Sequence, residues 1–385
     1  MSSQEVEAGW IPAFLKTATL TGLRLEEAVC SLMQGATGHP LTLGQILGGI
    51  PGPSEMLQVA CTVARSMEAL QSACAALTLQ GIHPLSLLLA GDRDFHQWLA
   101  EEGKWRFHQP GQFLGANLQR GILTLNRFQA TEWLRDLPPH LAILPNPKLD
   151  TLMLTDADVT GLLPAGTDFP CHLKFRVCDG TLQLPSRIHG GLQLDFSEAH
   201  FQFPRHLDLD GALEIRGCSG VASLSEQLRT RGLYLQHCPS LDTLPRTITG
   251  AAQIELINLP IRSFPQGVEG VSYFDVSRAP RLEELHLPSG NPIDIDLKEL
   301  PNLKRLHLPA AAVIRNLSIR SCPKLESIPG QLKNLTGSLT LKNLPSMSGL
   351  PRGLRIAKDL CIRNCPGLGS LEQAEVVAGG ESELS

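Results

Sequence analysis

One spacing constrains this chain more than any other property. Two apolar residues flanking a single intervening position return every 19 to 22 residues over much of its length. Take Leu233 as offset 0. The segment LYLQHCPSLDTLP then has apolar residues at offsets 0 and 2, Cys238 at 5, Leu241 at 8, Leu244 at 11 and Pro245 at 12. The same frame fits LSIRSCPKLESIP from Leu317, LTLKNLPSMSGLP from Leu339 and LCIRNCPGLGSL from Leu360. Upstream it fits segments beginning at Leu213, Leu192 and Leu173, with looser copies at Leu152, Ile254, Phe274 and Ile295. These starting residues mark eleven units in register. A fixed period of this size is the signature of a stacked repeat array, in which each unit buries its apolar residues only against its neighbours.

Side chains alternate along a strand. Offsets 0 and 2 therefore point into the stack, and offsets −1, 1 and 3 point out of the sheet. Offset 5 leaves the strand and turns inward, where a small, weakly polar Cys sits beside backbone groups. Pro at offset 12 ends the inward run and starts the return.

The units resemble the leucine-rich-repeat family, L-x-x-L-x-L-x-x-N/C-x-L. Their C-P-x-L-x-x-L-P form is similar to repeats of plant resistance receptors and bacterial effector-type proteins. The resemblance covers residues 141–371, about 60% of the chain. It implies a right-handed solenoid, a horseshoe of parallel strands whose concave sheet binds another protein; with the helical reading of residues 1–120 below, the expected fold class is α+β.

Residues 1–120 have helical composition and near-helical apolar spacing in RLEEAVCSLMQ, PLTLGQIL and SEMLQVACTVARSMEALQSACAALTLQ. Pro53-Ser54-Glu55 reads as a helix start, Gly81 and Pro84 as breaks, and DRDFHQWLAEEG as a further short helix. Residues 121–140 read as a transition and N-terminal cap, to which Trp98, Trp105 and Trp133 are expected to contribute. Residues 372–385 read as a disordered acidic tail, leaving the Leu360 unit as an open edge that frays or pairs with a second copy.

The net charge of −5 argues against a protein dominated by nucleic-acid binding. The amino terminus lacks the basic and apolar regions of a Sec-type signal peptide. Ala73–Ala90, the most apolar stretch, is interrupted by Gln80, Gly81, His83 and Pro84, so no membrane insertion is expected. The ten cysteines then read as reduced thiols of a cytoplasmic protein, or of one exported without such a signal.

Cys178, Cys218, Cys238, Cys322 and Cys365 share offset 5 and read as structural. Neither Cys361 with Cys365 nor Cys171 with His172 and Cys178 makes a convincing metal set. The sequence has no G-x-S-x-G elbow, P-loop, H-E-x-x-H or C-x-D motif. His39, His83, His96 and His108 read as core or surface histidines. No cofactor or metal is expected, and no catalytic residue is assigned.

The candidate binding residues come from the outward offsets. Offset 3 of the later units gives Lys298, Arg320, Lys342 and Arg363, a basic lane suited to an acidic segment of a partner. Upstream, Tyr234, Ile257 and Tyr273 project from neighbouring strands, and these are the only tyrosines in the chain. Exposed aromatics beside an aliphatic residue anchor protein interfaces. The expected function is protein–protein interaction on this face; the alternative is an enzyme or toxin activity in residues 1–120 that the repeats target.

Overall fold

The computed structural model describes residues 11–20, 25–35, 40–64, 66–91, 94–98, 115–119, 121–126, 141–146, 149–163, 168–290, 292–309, 313–368 and 377–384. A small helical N-terminal region is followed by a parallel β-solenoid of about ten turns. The chain divides into two compact units, Met1–His189 and Gly190–Ser385.

The first unit opens with the helices α1 (Ile11–Leu20), α2 (Leu25–Met33), α3 (Leu43–Gly48), α4 (Pro53–Val63), α5 (Met67–Leu79) and α6 (Leu85–Ala90), and residues 94–98 are helical as well. Their starts are written locally. Thr42 and Gln45 form a reciprocal capping box on α3, Pro53 occupies the first turn of α4, and Ser66 accepts from the Ala69 amide at 3.1 Å on α5. In α2, Ala28, Val29 and Leu32 share a face and are fully buried. In α5, Leu70, Ala73 and Leu77 do the same. Gly81, at φ 75°, turns the chain out of α5. Its carbonyl accepts from Ala142 N–H at 2.9 Å, and His83 N–H donates to Ala142 O at 2.9 Å. Asn146 Nδ2 adds a bond to Leu89 O at 2.7 Å. The helices are thereby tied to the segment between the strands Ile122–Asn126 and Thr151–Thr155.

Those strands begin earlier than the sequence frame predicts. Ile122–Asn126 pairs in parallel with Thr151–Thr155, which pairs with His172–Arg176. Leu123 and Leu125 are fully buried and stand in register with Leu152 and Leu154, so the expected transition segment 121–140 already contains a rung. Its other side is covered by Gly115–Gln119, antiparallel to it, within the stretch expected to be helical. Of the expected cap tryptophans, Trp98 lies 5.9 Å from Phe95, ring to ring, and Trp105 and Trp133 lie outside the described residues.

In the second unit, ten strands stack in parallel, in one register at offsets 0 to 2 and with a bulge at Arg315. They are Leu192–Asp195, Ala212–Arg216, Gly232–Gln236, Gln253–Ile257, Tyr273–Ser277, Ile293–Lys298, Ile314–Arg320, Leu339–Lys342, Leu360–Arg363 and Ser382–Leu384. The last of them corrects the expectation of a disordered tail over residues 377–384; residues 372–376 lie outside the described residues. Leu360 pairs with Ser382 and Ile362 with Leu384, and Val377–Ala378 pairs with Arg355–Ile356. Backbone pairing needs no apolar run, so an acidic, Gly-rich segment extends the ladder. The Leu360 strand is an inner rung and not the open edge.

Each strand ends the same way. The residue at offset 4 is left-handed in every copy from Leu152 on: Asp156, Val177, Phe196, Gly217, His237, Asn258, Arg278, Glu299, Ser321, Asn343 and Asn364 have φ between 49° and 63°. Non-glycine residues pay for this conformation, and a hydrogen bond offsets it. The corner N–H donates to the offset-3 carbonyl of the next turn, as from His237 to Ile257 (2.9 Å), Asn258 to Ser277 (2.8 Å) and Glu299 to Arg320 (2.9 Å). The corner turns offset 5 inward. Cys218 Sγ lies 3.4 Å from both Leu194 O and Arg216 O; Cys238 Sγ lies 3.3 Å from Gln236 O and 3.7 Å from Ile215 O. Burial pushes the Cys178, Cys218 and Cys322 thiols up to about 11.

The return path is less uniform. Leu207, Leu228 and Ile248, all at offset 15, are buried and centre a second parallel sheet of His206–Leu209, Gln227–Arg229 and Thr247–Thr249. Two turns further on the short strand moves to offsets 10–12, where Glu284–His286 pairs with Arg305–His307.

Candidate functional site

The outward face of the second unit's ladder is a grid. Register aligns Lys298, Arg320, Lys342 and Arg363 on four successive strands, so the offset-3 lane is one row. Neighbouring strands are about 4.8 Å apart. Upstream in that row stand Gln236, Ile257 and Ser277. Tyr234 and Tyr273 lie on the same side of the sheet, on strands separated only by Gln253–Ile257. All seven candidate residues therefore share one face, and none is fully buried.

The row is not a bare line of positive charge. Offset 1 carries a second row, in which Glu214, Tyr234, Glu255, Asp275 and Asp296 are register partners on five strands. Reading offset 1 down the units, in the way offset 3 is read, yields this acidic column from sequence; offset 3 alone misses it. The two columns interlock where they overlap. Lys298 Nζ lies 2.6 Å from Asp296 and 3.3 Å from Asp275, and Arg320 lies 3.0 Å from Asp296. Arg216 pairs with Glu214 at 3.2 Å, and Arg363 pairs with Glu383 in the last strand. Among the described residues Lys342 forms no ion pair within 4 Å.

The acidic column also differs internally. Glu255 has no ion pair among the described residues. Asp275 is only 7% exposed; its Oδ2 faces Lys298 and receives the Tyr273 hydroxyl at 3.4 Å, while its buried Oδ1 has no hydrogen-bond partner. Burial lifts the Asp275 carboxyl above the usual carboxylate range, against the pull of Lys298. Burial, and then the neighbouring Asp275 charge, lifts Glu255 likewise. Tyr234 donates to Gln253 Oε1 at 2.5 Å. Its ring lies over Gly232, where a Cβ would come within 2.7 Å of Cε2. The missing side chain at Gly232 is what lets the ring lie along the sheet.

Two other places bear on function. In the helical region a cleft of about 370 Å³ is lined by Pro12, Leu15, Lys16, Leu25, Ile50, Glu55, Gln58 and Val59. That lining contains no Ser, Cys or His nucleophile–base pair. His83 and His96 are both buried; burial pushes His83 down to about 4, and His96 Nε2 lies 2.7 Å from Leu88 O. His39 and His108 lie outside the described residues. No helix among the described residues is long and apolar enough to cross a membrane. Comparison with family models, curated proteins and solved structures finds no match to this chain.

Proposed function

We propose that this protein is a leucine-rich-repeat binding module that takes a protein partner on the outward face of its strand ladder, in the manner of an effector that acts by occupancy. The repeat type is read from the Leu, Cys and Pro frame. The observation that carries the binding site is the co-facial arrangement of Tyr234, Ile257, Tyr273, Lys298, Arg320, Lys342 and Arg363 on consecutive strands. The unpaired Lys342 suits an acidic group of that partner. Tyr234 and Tyr273 supply area at low entropic cost.

A photo-crosslinking residue at Ile257, compared with one at the exposed Thr247 on the return strand, tests the face in full-length protein. Discrete protein adducts from Ile257 and none from Thr247 are expected. The opposite pattern, or adducts only from the helices, would reassign the site. With the captured partner, Tyr234→Ala is expected to weaken binding by roughly 1–3 kcal/mol through faster dissociation. Charge reversal at Lys342 is expected to slow association and flatten its salt dependence.

A further inference from the structure

We infer that Tyr234, Glu255, Tyr273 and Asp275 form a seat for one arginine side chain of an extended partner segment. The inference rests on the proposed binding face and specifies what that face takes. Four carboxylates stand in the offset-1 column from Glu214 to Asp296, and their cations are unevenly shared. Arg216 serves Glu214, while Lys298 and Arg320 both serve Asp296. Among the described residues Asp275 receives Lys298 on one oxygen only, and Glu255 receives no cation. Glu255 and Asp275 are direct register partners, so two under-compensated carboxylates project from adjacent strands whose backbones are about 4.8 Å apart. One of them is more than nine-tenths buried, with an oxygen that has no hydrogen-bond partner.

A bare metal ion does not fit this arrangement. Among the described residues no three His, Cys, Asp or Glu side chains converge as ligands. A guanidinium fits on three counts. Its planar fork presents parallel donors that bridge two carboxylates. Its plane stacks on an aromatic ring, and Tyr234 is held along the sheet by Gly232 and by its bond to Gln253. Its apolar stem covers ring surface that a compact cation would leave wet. The neighbouring basic row fixes the companion charge. Lys342 stands three strands beyond Asp275, roughly 14 Å along the stack. An extended segment covers that distance in about four residues. The preferred segment carries Arg and, about four positions away, Asp or Glu.

With only two tyrosines in the chain, ¹³C-tyrosine labelling of full-length protein gives two ring signals that report on this seat. The probe is a Ser/Thr/Gly peptide with one Arg and one Glu four residues apart. The controls are the same peptide with citrulline for Arg, and calcium chloride alone. Saturable shifts of both ring signals by the Arg peptide, at least tenfold weaker with citrulline, are expected. The Glu255→Gln, Asp275→Asn double variant, its fold checked by circular dichroism, is expected to abolish them. Equal affinity for the citrulline peptide, no shift with the Arg peptide, or saturation by calcium alone would overturn the inference. Ile257 adducts that persist while the Arg peptide leaves both rings unmoved would sink the arginine seat and leave the binding face standing.

Discussion

Two positions in each turn set terms that a single side chain must meet. Offset 5 accepts a small thiol lying against carbonyl oxygens, as Cys238 does at 3.3 and 3.7 Å. Cys238→Ala loses little volume and is expected to cost about 1 kcal/mol. Cys238→Asp puts a carboxylate in a site lined by oxygen atoms and is expected to cost on the order of 3–5 kcal/mol. Chemical denaturation of both variants measures the difference, and equal small losses would contradict the inward corner. Offset 4 sets the opposite kind of term, a backbone conformation. Val177 is β-branched and about half exposed at φ 51°. Its side chain brings strain without compensating burial, so Val177→Asn is expected to stabilise by roughly 0.5–1 kcal/mol. A lower denaturation midpoint for that variant would show that the Val177 side chain makes contacts that outweigh its strain.

Within a strand the outward residues act as members of columns, and the column decides their electrostatics. Asp275 is the clearest case. Its folded-state carboxyl is held above the ordinary range, chiefly by burial. A raised acid contributes stability at low pH and loses that contribution as pH rises through the raised value. At neutral pH the charged Asp275 therefore works against the fold. Asp275→Asn is expected to raise stability at pH 7 by about 1 kcal/mol or less, with the difference from wild type shrinking as pH falls toward the ordinary carboxylate range. Paired melts across pH test this; a variant less stable at every pH would show that the Lys298 bond outweighs burial. Columns also explain what the sequence made legible. Offsets 0, 2 and 5 are chosen for burial, so Leu233, Leu235 and Cys238 announce the frame. The corner carries Asp, Val, Phe, Arg and Glu among others, because the ladder imposes its conformation whatever residue stands there. The return strands around Leu228 and Leu285 sit at different offsets, so no fixed period marks them. Ser382–Leu384 joins through backbone pairing, which leaves no apolar trace. On the face, the basic row was legible because its four cations are consecutive; the acidic row was interrupted by Tyr234, and its meaning depends on pairings between turns.

At the scale of the whole molecule, one register runs from Leu192 to Leu384 through ten strands, so the length of the array and the identity of each rung are separable. Removing Leu233–Gln253 joins Gly232 to Ile254 and keeps every inward residue inward. That deletion is expected to retain the far-ultraviolet spectrum and a cooperative melt. Removing Tyr234 alone instead sets Leu235 directly after Leu233, at the outward parity within the strand, and is expected to weaken the cooperative melt. If both deletions behave alike, the rungs are not equivalent modules. The corner hydrogen bond gives this modularity a direction. At nine of the eleven corners, from Asp156 to Asn343, the amide donates forward, to a carbonyl of the turn that follows in sequence. On a ribosome the donor therefore emerges before its acceptor. Each of these turns, newly completed, waits with one unmet N–H until some twenty further residues appear, while all earlier turns are already closed. The nascent chain thus carries a single unfinished corner however long it has grown, and its synthesis advances a boundary between closed and open structure instead of enlarging an unfolded region.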